Sequence, residues 1–581
     1  MGLLLGSACT APTVETWAAS PPASEGQQGM VATAQRLASE AGVEILRRGG
    51  NAVDAAVAVG YAEAVVNPCC GNIGGGGFMV LHLADGRDLF VNFRETAPAG
   101  ASETMYLGPD GKPVKGASLY GWKAAGVPGT VLGLDTALKE YGTLPRDVVM
   151  APAIKLAEDG FVLTRADTDT LDVVISKLRE DPVAAKIFLE PDGKALQPGD
   201  LLVQPDLAKT LAAIAKTGPD AFYKGAIPKA VEAASSAGGG LLKAGDFADY
   251  KITEAAALHC SYRGYDFFSA PPPSSGGVTL CEILNILEGY DLKALGFHSA
   301  AATHVMIEAM RHAYLDRNTY LGDPAFVHDP LDRLLSKDYA AAIRAQIPVD
   351  KAGVSADLKP GMAPHEKPET THYSVLDKQG NAVSVTYTVN GLFGALVMAP
   401  GTGFFLNDEM DDFAASSTAP NMYGLIQGKA NAIAPGKRPL SSMAPTIVTK
   451  DGKVFLVLGS PGGSRIITIT LETALDIIDY GMAPQQAVDA PRFHHQYLPD
   501  AVGYEPYAFS PDTLQLLKGM GYKMVEQSEW GGTELIEIGP EHKAEGVESS
   551  GNDSARSGAV LPGWVYGAND ARRPIGAALA E

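Results

Sequence analysis

The 581-residue chain has no apolar run long enough to cross a bilayer. About 18 consecutive apolar residues are needed, and the best candidate, Ala52–Val66, is shorter and contains Asp54 and Glu63. Positive charge is also scarce: 46 Lys and Arg stand against 67 Asp and Glu, a net charge of −21. No long basic stripe offsets that balance, which argues against a polyanion such as DNA or RNA as partner. Cysteine is rare. The five residues Cys9, Cys69, Cys70, Cys260 and Cys281 form an odd count without CxxC spacing, which argues against both a disulfide framework and a zinc site. The last four are expected to be ordinary packed thiols. A P-loop, a GxSxG elbow and an HExxH helix are all missing, which removes the commonest nucleotide and hydrolase chemistries. The glycine run Gly71–Gly77 does not fit GxGxxG and leads into a strand pattern, so dinucleotide binding is a poor reading. His494 and His495 are adjacent and point apart in regular structure, so no metal is expected, and no cofactor.

What is present suits a large folded core. Hydrophobic residues make up 46% of the chain and charged ones 19%, which rules out general disorder. The 65 glycines and 39 prolines exceed the usual share of ~12% and imply a loop-rich globular protein. Apolar spacing predicts an amphipathic helix over Ala32–Arg48, stopped by Gly49-Gly50, and an Ala-rich helix over Val53–Val66. Further helices are expected at Thr130–Glu140, Ala151–Asp159, Val278–Leu287, His304–Leu315 and Ile466–Ile478. Three hairpins with Gly-bearing turns are expected around Ala84–Arg87, Asp377–Gly380 and Asp451-Gly452. Their strands are alternating or wholly apolar, so the sheet should be antiparallel and well buried. Helices interleaved with strand clusters give an α/β protein with helix layers over sheet. Residues 350–369 and 540–558 read as linkers. The start, MGLLLGSA before Cys9, has no basic residue and only a stub of apolar sequence. It is similar to the tail of a bacterial lipoprotein signal, although Gly6 stands where an aliphatic residue is preferred.

Six blocks then carry a resemblance: NPCCGNIGGGGFMV, FRETAP at Phe93–Pro98, the segment Thr370–Asn390, LNDEMDDF at Leu406–Phe413, KRPLSSMAPTIV, and GSPGG at Gly459–Gly463. In their order, from about residue 29 to the end, they resemble the γ-glutamyltranspeptidases (glutathione hydrolases), members of the N-terminal-nucleophile hydrolases. The resemblance implies a four-layer αββα sandwich in place of the several domains that length alone suggests. It implies a leader or tether over 1–28, a large subunit over 29–369 and a small subunit over 370–581, released by autocatalytic cleavage between Glu369 and Thr370. The two fragments would form one integrated domain, a heterodimer held without disulfides.

The chemistry follows from that cut. A threonine hydroxyl is a weak nucleophile and needs an adjacent base. The new α-amine of Thr370 supplies one, with a reference pKa of about 7.7–8.0. Thr388 matches the family's second threonine, which hydrogen-bonds the nucleophile. A γ-glutamyl group carries an α-carboxylate and an α-ammonium. Arg94 can pair with the carboxylate, with Ser441 and Ser442 as hydroxyl donors. Glu409, which replaces the Gln of many bacterial members, and Asp412 suit the ammonium, and Asn390 adds polar contacts. Gly462-Gly463, between a strand and a helix, suits an oxyanion hole. The segment 420–435, containing Tyr423, resembles the family's lid loop, whose presence favours γ-glutamyl donors.

The resemblance implies a γ-glutamyltransferase and glutathione hydrolase, with glutathione and other γ-glutamyl compounds as donors and water, amino acids or dipeptides as acceptors. A glutaryl or cephalosporin acylase on the same fold is the alternative, and an unprocessed binding protein is a weaker third reading. The insert around His542–Gly558 has no assigned role. A periplasm-facing lipoprotein anchored through Cys9, with its start upstream, is the expected location.

Overall fold

The computed structural model describes residues 20–355, 370–414, 421–539 and 560–581. Cys9, Glu369 and the 542–558 insert lie outside the described residues. Two seven-stranded sheets form the centre. The first runs in the order Ala577–Ala580, Met30–Thr33, Thr370–Leu376, Ala382–Thr388, Gly76–His82, Asp88–Asn92 and Thr253–Ala256. The second runs Ser24–Gly26, Val565–Asn569, Glu534–Ile538, Lys453–Leu458, Thr446–Lys450, Tyr265–Ser269 and Leu258–Tyr262. All neighbouring strands within both sheets pair antiparallel. The three expected hairpins are all present, with registers such as Phe78↔Asn92, Thr371↔Tyr387 and Ile447↔Val457.

The two-residue period of a strand explains the layers. In the first sheet, Val31, Met79, Leu81, Tyr373 and Val385 turn outward. They pack with the helices Arg36–Arg47, Ala52–Val66, Thr130–Tyr141 and Arg146–Asp159. Their neighbours Met30, Ala32, Phe78 and Val80 turn inward and meet Ile447, Val457 and Ile536 of the second sheet. The outer face of that second sheet, including Val448, Leu456 and Leu535, packs under the helices Gly276–Leu287, Ala300–Tyr320 and Ile466–Ile478. Helix, sheet, sheet and helix are thus stacked in four layers.

Several elements differ from the sequence reading. Ala32 lies in the strand Met30–Thr33, and the helix begins at Arg36 after Gln35, whose side chain accepts from the Leu37 N–H. The fold also starts before residue 29, since Ser24–Gly26 pairs with Val565–Gly567 and is not a free tether. The first residues of the supposed linker 350–369 are fastened: Ala352 N–H donates to the Met520 carbonyl, and Ser355 N–H to Asp500.

The packed thiols are a further correction. Cys260 is disulfide-bonded to Cys281, tying the strand Leu258–Tyr262 to the helix Gly276–Leu287, and Cys69 is bonded to Cys70. Residues far apart in sequence become bonding neighbours only through the fold; here the Cα atoms lie 5.9 Å apart, inside the disulfide range. Every cysteine of the chain precedes residue 370, so neither bridge joins the segments on the two sides of that position. Those segments are interleaved all the same. The strands Thr370–Leu376 and Ala382–Thr388 sit between Met30–Thr33 and Gly76–His82.

Candidate functional site

Thr370 and Thr388 are directly opposed at one end of the central hairpin. Both face the gap between the sheets, on the same side as Ser374 and Ser384, whose hydroxyls donate to the Glu534 and Leu458 carbonyls across it. The Thr370 hydroxyl donates to Thr388 Oγ1 at 3.3 Å, and the same oxygen accepts the Asn390 N–H at 2.8 Å. Thr388 therefore orients the Thr370 hydroxyl and is itself fixed by the backbone. The glycine run serves this geometry. A Cβ on Gly75 would stand 1.9 Å from the Thr388 carbonyl oxygen, so only glycine permits that approach.

The strand Lys453–Leu458 leads through Gly462 (φ 143°) and Gly463 (φ 55°) into the helix Ile466–Ile478. Gly463 borders the same cavity as Thr370, and helix N-termini present backbone N–H groups without intrahelical partners. A Cβ on Gly463 would meet the Tyr423 ring at 2.3 Å. Tyr423 is buried against this turn, and its hydroxyl donates to Asn390 Oδ1 at 2.8 Å. The described part of the supposed lid is thus packed down, and the Gln427 and Asn431 side chains donate to the Asp412 carbonyl.

The same cavity is lined by Arg94, Glu409, Asp412, Ser441 and Ser442, the residues matched for charge recognition. The structure brings all of them together, and it pairs the charged ones with each other. Arg94 is completely buried and donates to Glu409, to Asp412 and to the Pro439 carbonyl. Burial opposes its charge, yet Glu409, Asp412 and Glu95 hold it above the ordinary guanidinium range. Glu95 lies 3.7 Å from the Arg94 guanidinium, and burial pushes its carboxyl up to about 7 against the pull of Arg94. Burial likewise raises Glu409. With this clamp closed the cavity is about 20 Å³, room for about one water molecule. Thr370 also borders a larger cavity of about 300 Å³ whose walls include Cys69, Phe188 and Phe393.

Two residues were missed in the sequence. Glu95 follows Arg94 within a matched block, but a neighbour in sequence does not reveal a neighbour in charge. Arg317 is 1% exposed and lines the cavity. Its only advance signal is position: Tyr314, Ala313 and Met310, three, four and seven residues before it, are buried on the same side of the helix Ala300–Tyr320. A charged residue on such a face calls for an explanation. His494 and His495 take different partners, Thr468 and Gln496 for the first and Asp500 for the second.

A family model described as gamma-glutamyltranspeptidase matches residues 38–563. The chain belongs to the γ-glutamyltranspeptidase family. Similar relatives include a glutathione hydrolase proenzyme from a Pseudomonas species, 54% identical over 99% of this chain and 98% of its own. Another, from Escherichia coli, is 49% identical over 90% of each. Among solved structures, a cephalosporin acylase from Bacillus halodurans is similar with a TM-score of 0.81 at 26% identity, covering 99% of both chains. The four layers are those of the N-terminal-nucleophile hydrolases, and the protein is an enzyme of this family.

Proposed function

We infer that the protein is a γ-glutamyltransferase and glutathione hydrolase, made as a precursor and cut before Thr370. The observation that carries this reading is the position of Thr370. It is held by Thr388 and borders a cavity also lined by two arginines and two carboxyl groups. Groups of opposite charge beside a nucleophile suit a zwitterionic acyl group. In the precursor, the Thr370 hydroxyl attacks the carbonyl carbon of residue 369, and the C–N bond to Thr370 breaks as its nitrogen takes up the proton. Water hydrolyses the resulting ester to a carboxylate at residue 369 and the free Thr370 hydroxyl. The freed α-amine then takes the hydroxyl proton as Oγ1 attacks the γ-glutamyl amide. Backbone N–H groups at Gly462-Gly463 stabilise the oxyanion, and the amine leaves with a proton. Water or an amino acid or dipeptide acceptor takes the acyl group from Thr370.

The related cephalosporin acylase supports a glutaryl or similar acylase as the second reading. A donor without an ammonium, however, would bring no cation to Glu409 and Asp412, and its carboxylate would compete with them for Arg94. A denaturing gel and N-terminal sequencing test the cut: the smaller fragment should begin Thr-Thr-His-Tyr-Ser, and Thr370→Ala should remain one inactive chain. Any other start moves the nucleophile and overturns the assignment. γ-Glutamyl-p-nitroanilide should be cleaved in preference to glutaryl-p-nitroanilide. We also propose export with anchoring at Cys9; activity in the soluble cytoplasm, unaffected by Cys9→Ala, would overturn that.

A further inference from the structure

The two arginines of the cavity are in opposite electrostatic situations. The Arg94 donors are taken by two carboxylates and a carbonyl. Among the described residues, the hydrogen-bond partners of Arg317 are neutral, and Asp412 acts on it only through space. Its Nε donates to Ser275 Oγ at 2.9 Å, one terminal nitrogen to Asn318 and Gln427, and the other to Ser442 Oγ at 2.9 Å. A buried charge is ordinarily paired, and among the described residues no carboxylate bonds directly to this one.

Its contacts also converge on the two serines. Ser275 Oγ, held by Arg317, donates to the Ser441 carbonyl at 2.6 Å, and Ser275 N–H donates to the same carbonyl at 2.8 Å. The Ser442 oxygen accepts from the guanidinium, which leaves its O–H to be donated elsewhere, and Ser442 borders the cavity. The cavity walls hold two guanidinium groups, of Arg94 and Arg317, and two carboxyl groups, of Glu409 and Asp412. An entering zwitterion adds no net charge to them. Its ammonium takes over part of the carboxylate partnership of Arg94, and its carboxylate meets Arg317, whose hydrogen-bond partners among the described residues are neutral.

We propose that Arg317 is a second specificity-determining cation of the site, holding Ser441 and Ser442 in place and supplying the charge that the donor's α-carboxylate balances. This rests on the γ-glutamyl reading of the cavity. The test uses the processed enzyme and three p-nitroanilides: γ-glutamyl; glutaryl, which lacks the ammonium; and 4-aminobutyryl, which lacks the carboxylate. Arg317→Gln should raise KM for the first two at least tenfold with little change in kcat, and change kcat/KM for 4-aminobutyryl less than threefold. Arg317→Lys, which keeps the charge but not the several-pronged hold, should fall between. It also serves if the Gln variant fails to process on a gel. If 4-aminobutyryl turnover is too slow, inhibition by L-glutamate should weaken in the variants while inhibition by 4-aminobutyrate does not. A proportional fall for all three substrates, carried by kcat, would mean that Arg317 only supports the fold and would overturn the proposal. A wild-type enzyme that cleaves the glutaryl compound and not the γ-glutamyl one would overturn the parent reading. The glutaryl donor keeps its carboxylate and would still report on Arg317.

Discussion

The molecule contains two buried ion clusters with similar ingredients and different degrees of completion. In one, Arg492 and Arg572 share Asp570, and Arg572 also binds Glu505. Each remaining oxygen is used: Asp570 accepts the Thr533 and Arg572 N–H groups, and Glu505 accepts those of Arg492 and Trp530. Burial opposes the Asp570 charge, yet the two arginines hold its carboxyl below the ordinary range. In the other cluster, around Arg94, both Glu95 oxygens and one Glu409 oxygen are buried without a hydrogen-bond partner among the described residues, and both carboxyls are raised by burial. A cluster that fastens the chain is complete in itself, while one that receives a ligand keeps groups in reserve. Unsatisfied buried polar groups are costly, and three such carboxyl oxygens belong to the two glutamates beside Arg94.

The largest expected effect is on stability, at the completed cluster. Asp570→Asn leaves two buried guanidinium groups short of a counter-charge, and breaking such a pair costs about 3–5 kcal/mol. Thermal unfolding should show a marked fall in Tm. Glu409→Gln, at the incomplete cluster, leaves Arg94 paired with Asp412, so it should lower Tm less than Asp570→Asn does and should alter donor kinetics. Equal destabilisation by both changes would erase the contrast. Next in size is Arg94→Lys, which keeps the charge and loses the fork that spans Glu409 and Asp412. One charge-assisted bond is worth roughly 1.5–3 kcal/mol, so kcat/KM for the donor should fall roughly tenfold to a hundredfold, mainly through KM. An unchanged kcat/KM would remove Arg94 from donor binding.

A smaller effect separates the clusters by pH. The Glu95 carboxyl titrates near 7 in the folded protein and near 4.3 in an unfolded chain. Between those values the folded state binds the extra proton, so this residue's contribution to stability is full at low pH and is lost as pH rises through that window. Each pH unit crossed costs up to about 1.4 kcal/mol. Glu95→Gln should therefore gain Tm relative to the unsubstituted protein on going from pH 5 to pH 8. A constant difference across that range would show that Glu95 stays ionised beside Arg94.

Long, strongly patterned elements were legible in the sequence. The helix Ile466–Ile478 falls where its apolar spacing puts it, and the central hairpin lies on either side of its Gly380 turn. Short strands such as Met30–Thr33 and Val565–Asn569 are too brief for a period to emerge, and they owe their state to neighbours in the sheet. The helices Arg165–Leu178 and Pro205–Thr217 were not identified at all, although each carries apolar residues at helical spacing. At the site, resemblance supplied the positions of the matched side chains. It could not supply their present partners, because the Arg94–Glu409–Asp412 pairing depends on how closely the segments 93–98 and 406–413 approach. Arg317 was hidden because its role comes from Ser275 and Ser442, 42 residues before it and 125 after it.

The smallest expected effect tests whether the incomplete cluster is joined to the nucleophile. Tyr423 borders the cavity that Arg94 and Thr370 also line: its ring lies against Gly463, and its hydroxyl donates to Asn390, whose own N–H fixes Thr388. Tyr423→Phe keeps the ring and removes the hydroxyl's bonds, which reach both the side-chain and the main-chain oxygen of Asn390. A neutral hydrogen bond contributes about 0.5–1.5 kcal/mol, which corresponds to roughly a two- to tenfold fall in kcat/KM. If Tyr423 acts through Asn390 on Thr388, the loss should fall on kcat and be the same for γ-glutamyl and 4-aminobutyryl donors, because neither end charge is touched. A loss confined to KM of the γ-glutamyl donor would instead place the hydroxyl in substrate binding and separate the nucleophile from the charged end.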